Sequence, residues 1–191
     1  MKVLRKSTLE EYALHFWARQ ETKNDPKDRD ALTDIKAGGD PVTQLERRYD
    51  YKLPHRDNTV IRIALLDQKD VQYLFIHDYM PGDDWMRIRG LVPDPYTRRL
   101  WDLAGMFIKR GYFHGEWIDR QREHYDNWKC KGSLQNVIAG SERTLIQCVR
   151  PEEYEIVDGW ARLLPFTVLL RQGREFQPIE TFVAWRPCDE P

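Results

Sequence analysis

Apolar positions along the chain follow two rhythms, and the switches between them divide it into elements. Leu9, Tyr12, Ala13, Phe16 and Trp17 recur at the spacing of one helical face. Ser7 with Glu10, or Thr8 with Glu11, has the form of a capping box, so a helix is predicted over 7–19. Residues 20–30 are polar and charged, contain Pro26, and read as a loop. Asp40-Pro41 joins an N-cap residue to a proline suited to the first helical turn, which opens a short helix toward Tyr49.

The middle of the chain changes period. Residues 59–66 and 71–77 are rich in β-branched and aromatic side chains and read as strands, with a hairpin turn over 67–70. A third strand is expected over 85–92, after the turn-forming Pro81-Gly82-Asp83-Asp84, to give an antiparallel meander. Asp94-Pro95 repeats the cap-and-proline pair. Beyond it, Leu100, Leu103, Ala104, Phe107 and Ile108 form a helical stripe that stops at Gly111. Residues 116–131 are charged and aromatic and read as a helix ending at Gly132.

The last third carries the most distinctive pattern. Strands are predicted over 144–149 and 154–157, around a turn at 150–153. A Leu-rich helix follows over 160–171, with Pro165 near its first turn and Gly173 as its stop, and a strand returns over 176–185. The expected fold is α+β, a mixed sheet with packed helices, in a single domain over 1–191.

Composition narrows the function. The 191 residues are 41% hydrophobic and include seven Trp, nine Tyr and seven Phe, enough to bury a core without a disulfide or a metal. The net charge of −1 lacks the basic balance of a dedicated duplex-DNA binder. Three cysteines, Cys130, Cys148 and Cys188, form no C-x-x-C pair, which points to a reducing compartment. The start, Met1-Lys2-Val3-Leu4-Arg5-Lys6-Ser7, lacks an apolar signal core, and no run nears the roughly 18 apolar residues of a membrane span. A cytoplasmic protein without a membrane partner is expected. Nucleophile-elbow, P-loop, dinucleotide-binding and zinc-protease motifs are absent from the sequence.

The strongest candidate chemistry lies at Asp158-Gly159-Trp160-Ala161-Arg162. A glycine directly after a strand lets the chain turn sharply and lets a ligand approach. The first turn of the next helix offers unpaired amides and a partial positive charge that favours anions. Arg162 can grip a phosphate or carboxylate with its planar fork. Asp158 can hold a metal, orient a hydroxyl or act as a base. The bland alternative is a capped turn with Arg162 in an ion pair.

The segment Tyr154-Glu155-Ile156-Val157-Asp158-Gly159-Trp160-Ala161-Arg162-Leu163 resembles the Y-E-I-V-D-G-x-x-R-L signature of the ParB/sulfiredoxin-like superfamily. Gly132-Ser133-Leu134-Gln135-Asn136 resembles the G-x-x-Q-P motif that precedes it there. The resemblance covers about residues 116–186 and leaves 1–115 as a separate N-terminal helix and β-meander part. It implies a ligand site at Gln135, Asp158, Gly159 and Arg162, with Asp158 as the catalytic residue. Nucleotides, with magnesium, or phosphorylated small molecules are the implied ligands. Members include CTP-dependent DNA-partition clamps, ATP-dependent sulfinic acid reductases and free-serine kinases, so a nucleotide-dependent phosphotransferase or a DNA-linked role is the implied activity. Asn136 stands where the motif has proline, and Trp160-Ala161 where many members have His or Arg. These departures motivate the alternative of a non-enzymatic interaction or accessory factor of phage or plasmid type, its corner vestigial and its partner a protein.

Two weaker constellations remain. His77-Asp78 with His114-Gly115-Glu116 supplies metal-ligand residue types, although a hydrogen-bonded structural role fits them as well. Trp85-Met86-Arg87-Ile88-Arg89 would place both arginines on one strand face, either as a platform for single-stranded nucleic acid or as a half-solvated strand.

Overall fold

The computed structural model describes residues 1–49, 53, 59–76, 99–110, 119–150 and 152–186. The elements are β1 (Lys2–Ser7), α1 (Leu9–Lys23), a 3-10 turn (Pro26–Asp28), α2 (Arg29–Lys36), α3 (Pro41–Tyr49), β2 (Val60–Leu66), α4 (Gln68–Tyr73) and β3 (Leu74–Ile76). They continue with α5 (Leu100–Arg110), α6 (Asp119–Lys129), a 3-10 turn (Gly140–Glu142), β4 (Thr144–Arg150), β5 (Glu153–Asp158), α7 (Trp160–Arg171) and β6 (Ile179–Trp185). The fold is α+β, with one mixed six-stranded sheet in the order β1-β2-β6-β4-β5-β3.

Strand alternation gives the sheet two buried faces. Ile61, Ile63, Leu145, Val157, Phe182 and Ala184 pack with Tyr12, Phe16 and Trp17 of α1 and Leu45 of α3. Ala64, Leu66, Ile146, Ile156, Val183 and Trp185 pack on the other side with α5 and α7. Helix α7 is buried from Arg162 through Leu170, as expected of a helix apolar all round. Gly173, with φ 91°, ends it, and the Arg174 amide returns to the Leu169 carbonyl. Among the described residues, no helix is long and apolar enough to cross a membrane.

Several expectations hold. Helix α1 has Thr8 as its N-cap, the hydroxyl accepting from the Glu11 amide. α3 starts at Pro41, α5 carries the Leu100–Phe107 stripe, and β4 and β5 pair antiparallel. Others are corrected. The expected hairpin over 67–70 is the start of a helix: Asp67 caps α4, and Asp70 returns the bond in a reciprocal capping box. β2 therefore does not pair with β3. It lies between β1 and β6, and β3 runs parallel to β5 at the far edge. Only 74–76 of the expected 71–77 strand is extended in the described residues. The loop expected over 20–30 contains the end of α1, a 3-10 turn and the start of α2. Pro165 sits in the second turn of α7, not the first. The expected strand over 85–92, His77-Asp78 and His114-Gly115-Glu116 lie outside the described residues.

Candidate functional site

Asp158 ends β5 beside a bulge. Leu145 pairs with Asp158 and Ile146 with Ile156, so Val157 is the extra residue. A bulge re-aims the side chain that follows it, and Asp158 is reached from α1. Gly159 then turns the chain at φ 99°, a left-handed conformation that disfavours other residues. Space requires glycine as well. A Cβ would press on the Thr144 side chain and lie 2.7 Å from Arg162 Nη2. The room beside Gly159 is thus already filled by the protein's own groups.

The charges at the corner face one another. Arg19 Nη2 donates to Asp158 Oδ2 at 2.7 Å and Arg162 Nη2 donates to the same oxygen at 3.2 Å. Arg19 Nη1 also donates to the Arg143 carbonyl, and Arg162 Nη1 to Glu142 Oε2 at 3.3 Å. The side chains of Arg19, Arg162 and Asp158 are 4%, 5% and 12% exposed, so the three are taken from water together. Burial pushes the Asp158 carboxyl pKa up. The positive charges of Arg19 and Arg162 and the hydrogen bond from Arg19 outweigh it and hold the group far below the usual carboxylate range. An ionised carboxylate shared by two guanidiniums is a poor general base, because its proton affinity is low.

Two histidines border this cluster. His15, one turn before Arg19 on α1, packs on Phe182 with ring centroids 5.4 Å apart. Burial, with the nearby charges of Arg19, Arg143 and Arg162, lowers its pKa to about 4. Its Nε2 is buried without a hydrogen-bond partner. His124 of α6 is also lowered by burial, and Glu142 and Arg162 act on it in opposite directions. Below Asp158, the Thr144 and Thr181 hydroxyls meet at 2.7 Å in the buried sheet.

The expected site residues are only partly brought together. Asp158, Gly159 and Arg162 form one contact unit. Gln135 is exposed in a turn, where its backbone N–H donates to Ser133 Oγ, and no described contact joins it to the corner. Two clefts formed by described residues lie elsewhere. One, of about 610 Å³, is lined by Ser7, Thr8, Asp40, Val42, Thr59 and Ile61 among others. The second, of about 150 Å³, lies between the end of α1 and α2. Neither includes a corner residue. Among the described residues, no group of three or more His, Cys, Asp or Glu is placed to hold a metal ion.

Arg19, Glu142 and His15 also belong to the corner, and no motif in the sequence marks them. A signal existed for two of them. Tyr12, His15, Phe16 and Arg19 share one helical face, so Arg19 and His15 interrupt an apolar stripe that points at the core. No protein-family model, curated protein or solved structure matches the chain.

Proposed function

We propose that this chain is a non-enzymatic, cytoplasmic protein-interaction factor whose Asp158–Arg162 corner serves the fold. The observation that carries the reading is the Asp158 carboxylate, buried and bound by Arg19 and Arg162 together. Both terminal nitrogens of Arg162 are occupied by carboxylates of the same chain. A ligand phosphate would have to displace Asp158 or Glu142 to reach that fork, at the cost of leaving a buried carboxylate unpaired. The exposed thiol of Cys130 supports the cytoplasmic part.

A second reading keeps a nucleotide or phosphorylated small molecule at the corner. Two observations favour it. Helix α7 opens at Gly159 without a side-chain cap, and Arg162 Nε is buried without an acceptor. Under that reading Arg162 steadies phosphate charge, and Asp158 orients a hydroxyl or holds magnesium.

Thermal unfolding with inorganic phosphate, ATP and CTP, each with and without magnesium, separates the two. The interaction reading predicts no rise in midpoint at millimolar ligand. A concentration-dependent rise that Arg162→Gln removes would overturn it in favour of the second.

A further inference from the structure

The two edges of the sheet are finished differently. β3 has three residues with a buried-intermediate-buried pattern, and Phe75 is bridged on one side by Arg99 and paired on the other within β5's ladder. β1 has six residues, exposed from Lys2 through Lys6, and pairs among the described residues with β2 alone. Val3 and Leu4 are 41% and 43% exposed. An open edge of this kind presents unpaired N–H and C=O groups to any extended chain.

We infer that the edge of β1 left unpaired among the described residues receives an extended acidic segment of another protein as an added strand. This rests on the interaction reading above and names the partner's chemistry. The strand Lys2-Val3-Leu4-Arg5-Lys6-Ser7 holds three basic residues and no acidic one. Register places Lys2 opposite Leu65 and Arg5 opposite Ile63, on the face of α1, and Val3 opposite Ala64 on the other face. An incoming strand of alternating acidic and apolar residues therefore sets its acids beside Lys2 and Arg5 and its apolar side chains beside Val3.

Arg5 already meets Glu11 of α1, but that pair is exposed on both sides, 52% and 39%, and open to exchange. The same features disfavour a second copy of this chain. Antiparallel two-fold pairing of β1 with itself, centred on Leu4, sets Lys2 against Lys6, and the bulge between Val3 and Arg5 interrupts the ladder. Charge thus rejects the self-partner and selects the acidic one.

The test uses the full chain and a fluorescein-labelled peptide of alternating glutamate and valine, followed by anisotropy and by amide hydrogen exchange. Saturable binding is expected, weakening as salt rises. The Lys2→Glu variant should lose at least tenfold in affinity, and the β1 amides of the unaltered chain should gain protection when the peptide binds. Four results would each overturn the inference. They are no saturable binding, equal binding of a lysine–valine peptide, undiminished binding of a backbone N-methylated peptide, and protection confined to amides outside β1. Nucleotide titration of the same samples distinguishes the levels of failure. Midpoints that rise with nucleotide remove the interaction reading itself, whereas flat midpoints with no peptide binding remove only the β1 partner.

Discussion

The Asp158 corner, at the end of a strand, and the β1 edge, along the side of one, are both polar, yet among the described residues one is closed and the other open. At the corner, two arginines from α1 and α7 converge on one carboxylate, and all three side chains are withdrawn from water. At the edge, the basic residues stand in solvent, with one ion pair to a neighbouring helix. Both sequences advertise charge next to apolar residues. The difference comes from what packs around them. Helix α1 lies over the corner and brings Arg19 and His15 into it, whereas no described element lies beyond β1. A charge that the fold surrounds with partners becomes a fastening, and a charge left at a strand edge is available to another molecule.

The largest expected effect breaks the closed half of the comparison. Asp158→Asn removes the carboxylate that Arg19 and Arg162 share, leaves Glu142 as the acidic partner of Arg162, and should cost ~3–5 kcal/mol, read from urea unfolding. A loss under about 0.5 kcal/mol, the size of an ordinary surface change, would show the corner to be solvated. Gly159→Ala comes next. Its left-handed backbone alone should cost about 1–3 kcal/mol, and the Thr144 and Arg162 contacts add to that. A variant with an unchanged thermal midpoint would mean the corner can relax around a methyl group.

Acid should loosen the same region in two stages. His15 is lowered to about 4 in the fold, against an ordinary value near ~6.5 in the unfolded chain. The unfolded state therefore binds the extra proton between these values. Stability contributed by neutral His15 is full above that window and falls as pH drops through it. His124, lowered by burial, adds a slope of the same sign. Asp158, held far below the usual range, stays ionised throughout, and its contribution is lost only at pH below about 4. His15→Gln should flatten the first stage, seen as a smaller change in urea midpoint between neutral and mildly acidic buffer. An identical pH slope in the variant would assign that stage elsewhere. The smallest effect belongs to the open half. Lys2→Glu with Lys6→Glu should leave the urea midpoint where it is, because neither lysine is tied into the packed layers. A clear drop would mean that β1 is a structural edge and not a spare one.

The helices with a regular apolar stripe were legible in the sequence, as was the β4–β5 hairpin. Each depends on contacts close along the chain. β1 was hidden because Lys2–Ser7 buries almost nothing and so shows no alternation. α4 reads as strand and turn in the sequence because its capping box, Asp67 with Asp70, uses residues that also favour tight turns. The candidate site was half legible. The Asp158-Gly159-x-x-Arg162 spacing does bring a carboxylate and a guanidinium together at a sharp turn. What closed the corner was Arg19, 139 positions away, and that encounter is a product of packing that no local pattern encodes.

Asp158 and Arg19 hold each other as a buried pair. A double-mutant cycle of Arg19→Met, Asp158→Asn and the two combined, followed by urea unfolding, measures that directly. A coupling of about 1.5–3 kcal/mol is expected, the combined variant losing far less than the sum of the single ones. Losses that simply add would contradict it.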